Sequence, residues 1–255
     1  MPDPQIQKND APEQRPGLTN RVQNIKWGRA LFNFWREWRG FFVFIVLMLL
    51  FRSAIADWNH VPSGSMNPGI IAGDRVVVDK IAYDVRWPFT LNRISRWAHP
   101  ERGDIVTFPS PEDDRTLLIK RVIGVGGDKI ELHDNRLFIN NVPAVYTVLD
   151  DEEIKRLHLI ADDRVVYARE EILGHSRVIQ WHRNRRSRIA DFGPFTLAEG
   201  EYFMMGDNRD DSKDSRAIGA IERDRVIGRA HTISFSFNLD RYWVPRLRRF
   251  FIYLE

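Results

Sequence analysis

The hydrophobic pattern near the N-terminus predicts a helix that continues into an apolar run. From Val22 to Gly40, large apolar side chains and tryptophans alternate with Lys and Arg, a composition typical of helices at a membrane interface. Phe41–Phe51 follows as eleven consecutive apolar residues, short of the roughly 20 needed to cross a bilayer as a helix. Extending the run through Arg52, whose long side chain can reach the interface, to Trp58 predicts a single transmembrane span. The alternatives are a buried core helix or a segment that lies in the interface.

Beyond this segment the pattern changes to short β-like runs separated by Gly, Pro, Asp and Asn. The runs are 75–83, 104–108, 116–125, 128–132, 136–140, 202–205 and 226–237. Repeated short strands of this kind favour an antiparallel β domain. The region from 140 to 198 is more charged and less periodic. The predicted fold is therefore mainly β, an antiparallel β domain with an inserted smaller β subdomain, preceded by an N-terminal transmembrane helix.

These patterns divide the chain into six predicted regions. They are a disordered cytoplasmic tail at 1–20, the basic interfacial helix and anchor at 21–58, the first part of the main β domain at 59–139, the inserted β subdomain at 140–198, the second part of the main domain at 199–240, and a basic aromatic C-terminal segment at 241–255. The tail is polar and proline-rich, with too little apolar content to pack. The C-terminal segment is interpreted either as an amphipathic packing segment or as a second membrane-surface contact.

Composition and charge restrict the chemistry and predict an orientation. The chain of 255 residues has no cysteine, which excludes disulfides and thiol nucleophiles, and its seven histidines show no paired metal-ligand spacing. We therefore expect no metal and no cofactor. The net charge of +3 has no concentrated basic stripe, so we expect no nucleic-acid partner. Residues 1–40 carry seven Lys and Arg against four Asp and Glu, which predicts a cytoplasmic N-terminus and an outer position for everything after about Trp58.

One lysine has a pattern suited to base catalysis. Alternation along a strand places Leu118, Lys120 and Val122 on one face. An ammonium group between apolar neighbours is poorly solvated, so its pKa falls and the neutral amine can act as a general base. Arg121 cannot take this role because a guanidinium does not deprotonate in proteins. The alternative is an edge-strand lysine that lies in water.

Two hydroxyl groups lie in the turn that follows the anchor, Pro62-Ser63-Gly64-Ser65-Met66. A serine nucleophile needs a base, since its own hydroxyl is scarcely ionised at neutral pH. No histidine lies in a GxSxG context, and His60 is a sequence neighbour. A serine–lysine dyad is the economical hypothesis. The residues alone leave open whether Ser63 or Ser65 would be the nucleophile.

A dense polar loop at 206–216 supplies further candidates. Started at Asp207 or at Asp210, it lacks the glycine and glutamate that an EF-hand calcium loop requires. Asp214 and Arg216 can form an ion pair, and Ser212 could orient a lysine by a hydrogen bond. The alternative is a solvated loop. The basic stretch 181–188 is interpreted as a solvated face.

Four segments occur in one order: 62–66, 73–80, 120–128 and 206–216. Together they resemble the conserved boxes of bacterial type I signal peptidases, a family of serine proteases with a Ser-Lys dyad. The resemblance covers roughly residues 40–240. It implies that Ser65 is the nucleophile and Lys120 its general base. It also implies an oxyanion hole formed by the Ser63 hydroxyl and the backbone N–H of Ser65.

The resemblance has further implications for the site and for the biology. Ser212 would hold Lys120 in place, with Asp214 and Arg216 as a supporting ion pair. The substrates would be signal peptides of secreted preproteins, cleaved after small residues with Ala at −1 and −3, and bound as an added β-strand. The implied protein is a monomer in the bacterial inner membrane, in contact with the lipid bilayer and with its catalytic domain on the periplasmic side.

Two other functions fit the same features. One is a specialised processing peptidase of a conjugation or secretion system with one or two substrates. The other is a catalytically inactive β scaffold that binds peptides or lipid at the membrane. The presence of all six candidate site residues argues against the scaffold.

Overall fold

The computed structural model describes residues 18–87, 89–90, 92–160, 162–185, 187–239 and 242–254, with side chains from residue 32 onward. The chain divides into two compact units, 1–49 and 50–255. Helix α1, Leu18–Ala54, begins in the first unit and ends in the second. Residues 1–17 of the predicted disordered tail lie outside the described residues, and residues 18–20 belong to α1.

Helix α1 covers the predicted interfacial helix and the apolar run as one continuous element. Most apolar side chains between Phe32 and Phe51 are exposed, and neighbouring rings such as Trp35 and Phe42 stack with centroids 5.5 Å apart. No helix in the described part of the chain is both long enough and apolar enough to cross a membrane. The transmembrane span therefore stays a prediction.

The second unit is built mainly from antiparallel strands. The strands are β1 (Ala56–His60), β2 (Asp74–Asp79), β3 (Asp84–Arg86), β4 (Arg93–Arg96), β5 (Ile105–Pro109), β6 (Leu117–Gly124), β7 (Lys129–His133), β8 (Arg136–Ile139), β9 (Val142–Pro143), β10 (Val145–Val148), β11 (Val165–Ile172), β12 (His175–His182), β13 (Phe192–Thr196), β14 (Glu201–Met205), β15 (Ile221–Glu222), β16 (Gly228–Asn238), β17 (Val244–Pro245) and β18 (Ile252–Tyr253). Short helices are α2 (Asp151–Arg156) and α3 (Ser215–Ile218), with 3₁₀ turns at Arg223–Arg225 and Leu247–Arg249. The predicted β class is confirmed.

The strands form four sheets. The largest has the order β1-β2-β16-β5-β6-β14-β15, with β17 and β18 also paired to β16. A four-stranded sheet has the order β13-β7-β8-β9, a three-stranded sheet the order β10-β11-β12, and β3 pairs with β4. The three-stranded sheet lies within the region predicted as an insertion, whereas β13 pairs back to β7. The six-region division itself stays a prediction.

The prediction was wrong at the end of the anchor. Residues 56–58, assigned to the helical span, belong to strand β1, in which Trp58 lies opposite Val77 of β2. Asp57 accepts a hydrogen bond from Arg52 at 2.8 Å and lies 3.6 Å from the Lys80 ammonium. The ladder with β2 satisfies the backbone groups of this segment, so strand pairing outweighs the helical pattern.

Three apolar clusters form the core and fix the strands that carry the candidate residues. One cluster contains Met66, Ile70, Val76 and Val78 and lies beneath the serine-containing turn. A second contains Phe108, Val122 and Met204 and packs against β6. The third lies between the four-stranded sheet and β14. Burial of these side chains holds both the turn and the lysine strand in place.

Candidate active site

The turn that carries Ser65 connects β1 to β2 and is anchored by its neighbours. Met66 is fully buried, and the Asn67 N–H donates to the Gly64 carbonyl at 3.0 Å. Asn208, from the polar loop 206–216, also holds this turn. The backbone N–H of Asn208 donates to the Ser65 carbonyl at 3.1 Å, and its side-chain amide donates to the Gly64 carbonyl at 3.0 Å. The position of Ser65 is thus set by the core on one side and by Asn208 on the other.

Lys120 lies in β6, opposite Val106 of β5, and only 2% of its surface is exposed. Its Nζ atom lies 2.7 Å from Ser65 Oγ, although 55 residues separate the two in sequence. The alternative of an edge-strand lysine in water is therefore wrong. The chain folds so that the predicted base and one of the two candidate hydroxyls are in direct hydrogen-bond contact.

Burial is the largest influence on the proton affinity of this lysine. It lowers the pKa of Lys120 from 10.5 to about 8 because an ammonium group loses its hydration in a buried site. The carboxylates of Asp214 and Asp207 oppose this shift, and the guanidinium of Arg216 adds to it. With a pKa of about 8, roughly a tenth of the molecules carry a neutral amine at pH 7.

The second hydroxyl of the turn lies close to the first. Ser63 is exposed, and its Oγ donates to Ser65 Oγ across 3.5 Å. This distance is at the upper limit for a hydrogen bond, so the contact is weak. The sequence could not rank the two hydroxyls, and in the structure Ser65 is the one that contacts Lys120.

The predicted ion pair in the polar loop is present and completely buried. Arg216 donates to Asp214 through Nε at 2.9 Å and Nη2 at 2.8 Å, and both side chains are fully buried. The Gly206 N–H donates to the same carboxylate at 3.0 Å. Burial would raise the pKa of Asp214, but Arg216, together with the Gly206 N–H and the neighbouring Ser212 hydroxyl, holds this pKa below its ordinary value. The alternative of a solvated loop is therefore wrong for Asp214 and Arg216, although Asp211 and Lys213 of the same loop are exposed.

Ser212 lies in the same region without the predicted contact. Its hydroxyl is buried, and no hydrogen bond within the usual distance and angle limits joins it to another described residue. It lies beside Asp214 and contributes to lowering the pKa of that carboxyl. Its hydroxyl also faces Gly206, where a Cβ atom would lie 2.2 Å away.

The family comparison bears on this arrangement of residues. A family model described as signal peptidase, peptidase S26, matches residues 35–235. The chain belongs to this family. It is a hydrolase, a signal peptidase whose activity is the cleavage of signal peptides.

Individual relatives agree with the family match. The chain is 31% identical to signal peptidase I of Pseudomonas aeruginosa over 78% of its own length and 72% of the relative. It is 32% identical to signal peptidase I of Rickettsia typhi, over 82% of each chain. A crystal structure of a signal peptidase I from Enterococcus faecalis is 28% identical, covering 52% of this chain and 97% of that one, with a TM-score of 0.31.

A cleft of about 400 Å³ opens beside the serine and the lysine of this signal peptidase. One wall is the segment from Asn59 to Ser65, and the other is the start of β6 from Thr116 to Lys120. The register of β6 with β14 ends at Arg121, so among the described strands 117–120 has a ladder partner only in β5. The cleft thus presents one side of a strand, with Val76 and Val78 among its apolar lining.

Three features of the site were not found from the sequence. Asp207 forms a buried two-point ion pair with Arg121 at 3.0 and 2.9 Å. Asn208 holds the serine turn, as described above. In the basic stretch 181–188, interpreted as a solvated face, His182 Nε2 lies 2.6 Å from Asp211, and Arg185 pairs with the same carboxylate. The pattern gave no signal for these pairs because the partners are far apart in sequence.

His60 lines the same cleft, but it is exposed, and its ring lies near that of Trp243 with centroids 6.2 Å apart. Within the described ranges, no group of three or more His, Asp or Glu side chains could hold a metal ion. The structure places a hydroxyl and a buried amine in contact, with a cleft beside them. Nucleophilic catalysis requires these groups.

Proposed function

We propose that this signal peptidase is a membrane-bound serine endopeptidase that uses a Ser-Lys dyad, with Ser65 as the nucleophile and Lys120 as the general base. The observation that carries the proposal is the 2.7 Å contact between Ser65 Oγ and Lys120 Nζ. The buried position of Lys120 supports its role, because desolvation brings its pKa to about 8 and makes the neutral amine accessible near neutral pH.

In this mechanism the neutral Lys120 amine takes the proton from the Ser65 hydroxyl while Oγ forms a bond to the carbonyl carbon of the scissile peptide. The resulting tetrahedral intermediate collapses as its C–N bond breaks, and the leaving amine takes a proton from the Lys120 ammonium. Water then attacks the acyl-enzyme, giving one proton to Lys120. When the ester bond breaks, that proton passes to Ser65 Oγ, and the carboxylic acid product leaves and loses its remaining proton to solvent.

We assign the oxyanion hole to the Ser63 hydroxyl and the backbone N–H of Ser65. The negative charge that develops on the carbonyl oxygen needs preorganised donors, each of which is worth about 2.7–4 kcal/mol in comparable enzymes. The exposed Ser63 hydroxyl, 3.5 Å from Ser65 Oγ, is free to rotate towards a bound carbonyl. Its weak contact with Ser65 costs little to break.

The supporting residues keep the base and its surroundings in place. Asp214 and Arg216 form a rigid buried pair that contributes to the field at Lys120. Ser212 is assigned to hold the Lys120 amine during the reaction. Its buried hydroxyl lies beside Asp214, so a side-chain rotation away from that carboxylate would have to bring it to Nζ.

The cleft supports binding of the substrate as an added strand, since no described strand pairs with 117–120 on the side away from β5. Its apolar lining suits small side chains at alternate positions, and we propose Ala at −1 and −3. The enzyme is proposed to be a monomer of the bacterial inner membrane, in contact with the lipid bilayer, with a cytoplasmic N-terminus and a periplasmic catalytic domain. This location suits a substrate whose own apolar segment is embedded in the bilayer.

The test is cleavage of a model precursor with Ala at −1 and −3 by the purified full chain in detergent. Wild type is compared with Ser65→Ala and Lys120→Met from pH 6 to 10. Both variants should lose activity, and the wild-type rate should rise with pH to a plateau above about pH 8. Full activity in Lys120→Met would refute the dyad, and no cleavage by wild type would favour the inactive scaffold. Accumulation of only one or two precursors on depletion would favour the specialised peptidase.

A further inference from the structure

A buried charge cluster lies outside the dyad, where the three-stranded sheet meets the polar loop. Glu170 of β11 accepts hydrogen bonds from Arg209 Nη1 at 2.5 Å and Nη2 at 2.6 Å, and from the Tyr146 hydroxyl at 2.8 Å. Arg177 of β12 pairs with the same carboxylate. The Glu170 and Arg209 side chains are fully buried, and 2% of the Arg177 side chain is exposed.

Stability alone is a poor explanation for this cluster. It holds one carboxylate and two guanidinium groups, and taking each ion out of water costs several kcal/mol. Apolar side chains of similar volume often stabilise a core as well or better. A buried ionic cluster is better suited to fixing one geometry, because its hydrogen bonds are directional. The question is then which part of the molecule this geometry fixes.

The main chain of Arg209 leads from the cluster to the ion pair beside Lys120. Its N–H donates to the Gln180 carbonyl of β12 at 2.9 Å, and its carbonyl accepts from Arg216 Nη2 at 2.7 Å. The same Nη2 atom binds Asp214 at 2.8 Å. The side chain of Arg209 is therefore locked by Glu170 while its backbone holds Arg216. A second contact, Asn135 Oδ1 to Arg216 Nη1, is weaker at 3.4 Å.

We propose that Glu170 is a positioning residue for the general base, acting through Arg209 and Arg216 on the field at Lys120. This inference rests on the proposed role of Lys120 as the base. It gives the three-stranded sheet, which carries none of the proposed catalytic residues, a role in the reaction. The sheet supplies the carboxylate that holds the loop 206–216 against the active site.

The charges that face Lys120 determine in which direction its pKa should change when the contact of Glu170 with Arg209 is lost. Asp214 and Asp207 favour its ammonium form, whereas burial and Arg216 favour the neutral amine. Asp207 has its own partner in Arg121, which does not depend on the cluster. If Arg216 moves away, the charge of Asp214 is less well compensated and water enters. Both changes raise the pKa of Lys120 from about 8 towards 10.5.

The experiment compares Glu170→Gln with the wild type by the pH dependence of kcat/KM on the model precursor. The variant keeps the shape of the side chain and removes the charge that holds Arg209. The rising limb of the kcat/KM profile should move to higher pH by about one unit. At pH 7 the kcat/KM of the variant should be about tenfold lower than that of the wild type, and the two values should converge above about pH 10. KM should change little, because the cleft is lined by other segments.

Two control variants separate positioning from general destabilisation. Glu171→Gln removes the exposed neighbouring charge on the same strand and should leave the profile unchanged. Arg177→Met disturbs the same buried cluster, but the side chain that it removes pairs with Glu170 and has no described hydrogen bond to Arg216. This variant should change the melting temperature and leave the rising limb of the kcat/KM pH profile in place. If Glu170→Gln does not fold, Arg209→Lys, which keeps a cation but loses the two-point contact, should show a smaller shift in the same direction.

Two results would overturn the inference. One is a Glu170→Gln or Arg209→Lys enzyme that melts at a lower temperature than the wild type but has the same rising limb in its kcat/KM pH profile. The other is an equal shift of the limb in Arg177→Met. Either result, with Lys120→Met inactive, would leave the dyad intact and remove only the role of Glu170. Full activity of Lys120→Met would instead refute the proposed function itself.

Discussion

Gly206 is a position where one added methyl group should directly disturb Ser65, the proposed nucleophile. A Cβ atom at Gly206 would lie 2.3 Å from the Ser65 carbonyl oxygen and 2.2 Å from Ser212 Oγ. Ordinary van der Waals contact begins at 3.4 Å, so the Ser65 carbonyl must retreat by about 1 Å. The Ser212 hydroxyl can rotate away, but Ser212 Cβ, 2.5 Å from the added methyl group, cannot, and the Ser65 carbonyl is backbone and is held by the Asn208 N–H at 3.1 Å.

The expected loss of catalytic rate in Gly206→Ala follows from the size of this displacement. A misplacement of about 1 Å at a reacting group can cost about 100-fold in rate, which corresponds to about 2.7 kcal/mol of activation free energy. Overpacking in the folded state should cost about 1–3 kcal/mol of unfolding free energy as well. The loss should appear in kcat, because the displaced group is Ser65, the proposed nucleophile.

Gly69→Ala is the matched control for this prediction. The same methyl group at Gly69 meets its nearest atoms at 3.8 Å, and the backbone there needs no left-handed conformation. Steady-state cleavage of the model precursor and a thermal melt are measured for both variants. Gly206→Ala should lose about 100-fold in kcat and Gly69→Ala about twofold or less. A folded Gly206→Ala enzyme with wild-type kcat would refute the reasoning, since the Ser65 carbonyl would then not be fixed.

Three further predictions concern the polar groups around the site. Asn208→Ala removes the side-chain bond to the Gly64 carbonyl and should lower kcat about 3- to 10-fold in the precursor assay; an unchanged kcat would contradict this role. Asp207→Asn removes a charge that raises the pKa of Lys120, so the rising limb of kcat/KM should move to lower pH, and the loss of its two-point pair with Arg121 should lower the melting temperature. Glu170 has its pKa held at about 2 by Arg177 and Arg209 against burial, so stability should fall as the pH drops from about 4.5 to 2, and less steeply in Glu170→Gln.

The main strands could be predicted from local pattern because alternation and turn residues are local features. The proposed pairing of Ser65 with Lys120 was expected from the family resemblance, since the residues alone left open which serine would be the nucleophile. The alternation around Lys120 places it on a face with Leu118 and Val122, and the structure has Leu118 and Val122 in or against one core cluster. The runs at 104–108 and 128–132 correspond to β5 and β7 within one residue. The end of α1 was misplaced because the segment 56–60 gains its strand conformation from pairing with β2, which the local pattern does not reveal.

The charged network could not be predicted because its partners meet only in the folded chain. Glu170 and Arg209 are 39 residues apart, and each is a charged residue in a polar stretch, which predicts exposure. Both are fully buried. The pair Arg121–Asp207 spans 86 residues and was missed for the same reason. Sequence pattern records which residues avoid water, but it does not record which charges compensate each other in the interior.

The charge balance explains how a lysine beside two carboxylates can still have a lowered pKa. Asp214 and Asp207 would each favour the ammonium form of Lys120 if they were free. Each carboxylate instead has a guanidinium partner, Arg216 or Arg121, so each acts on the lysine as a dipole whose field falls off more steeply than that of a single charge. Burial then becomes the dominant influence. Arg216 thus favours the neutral form of Lys120 directly, whereas Arg121 acts by compensating the carboxylate of Asp207.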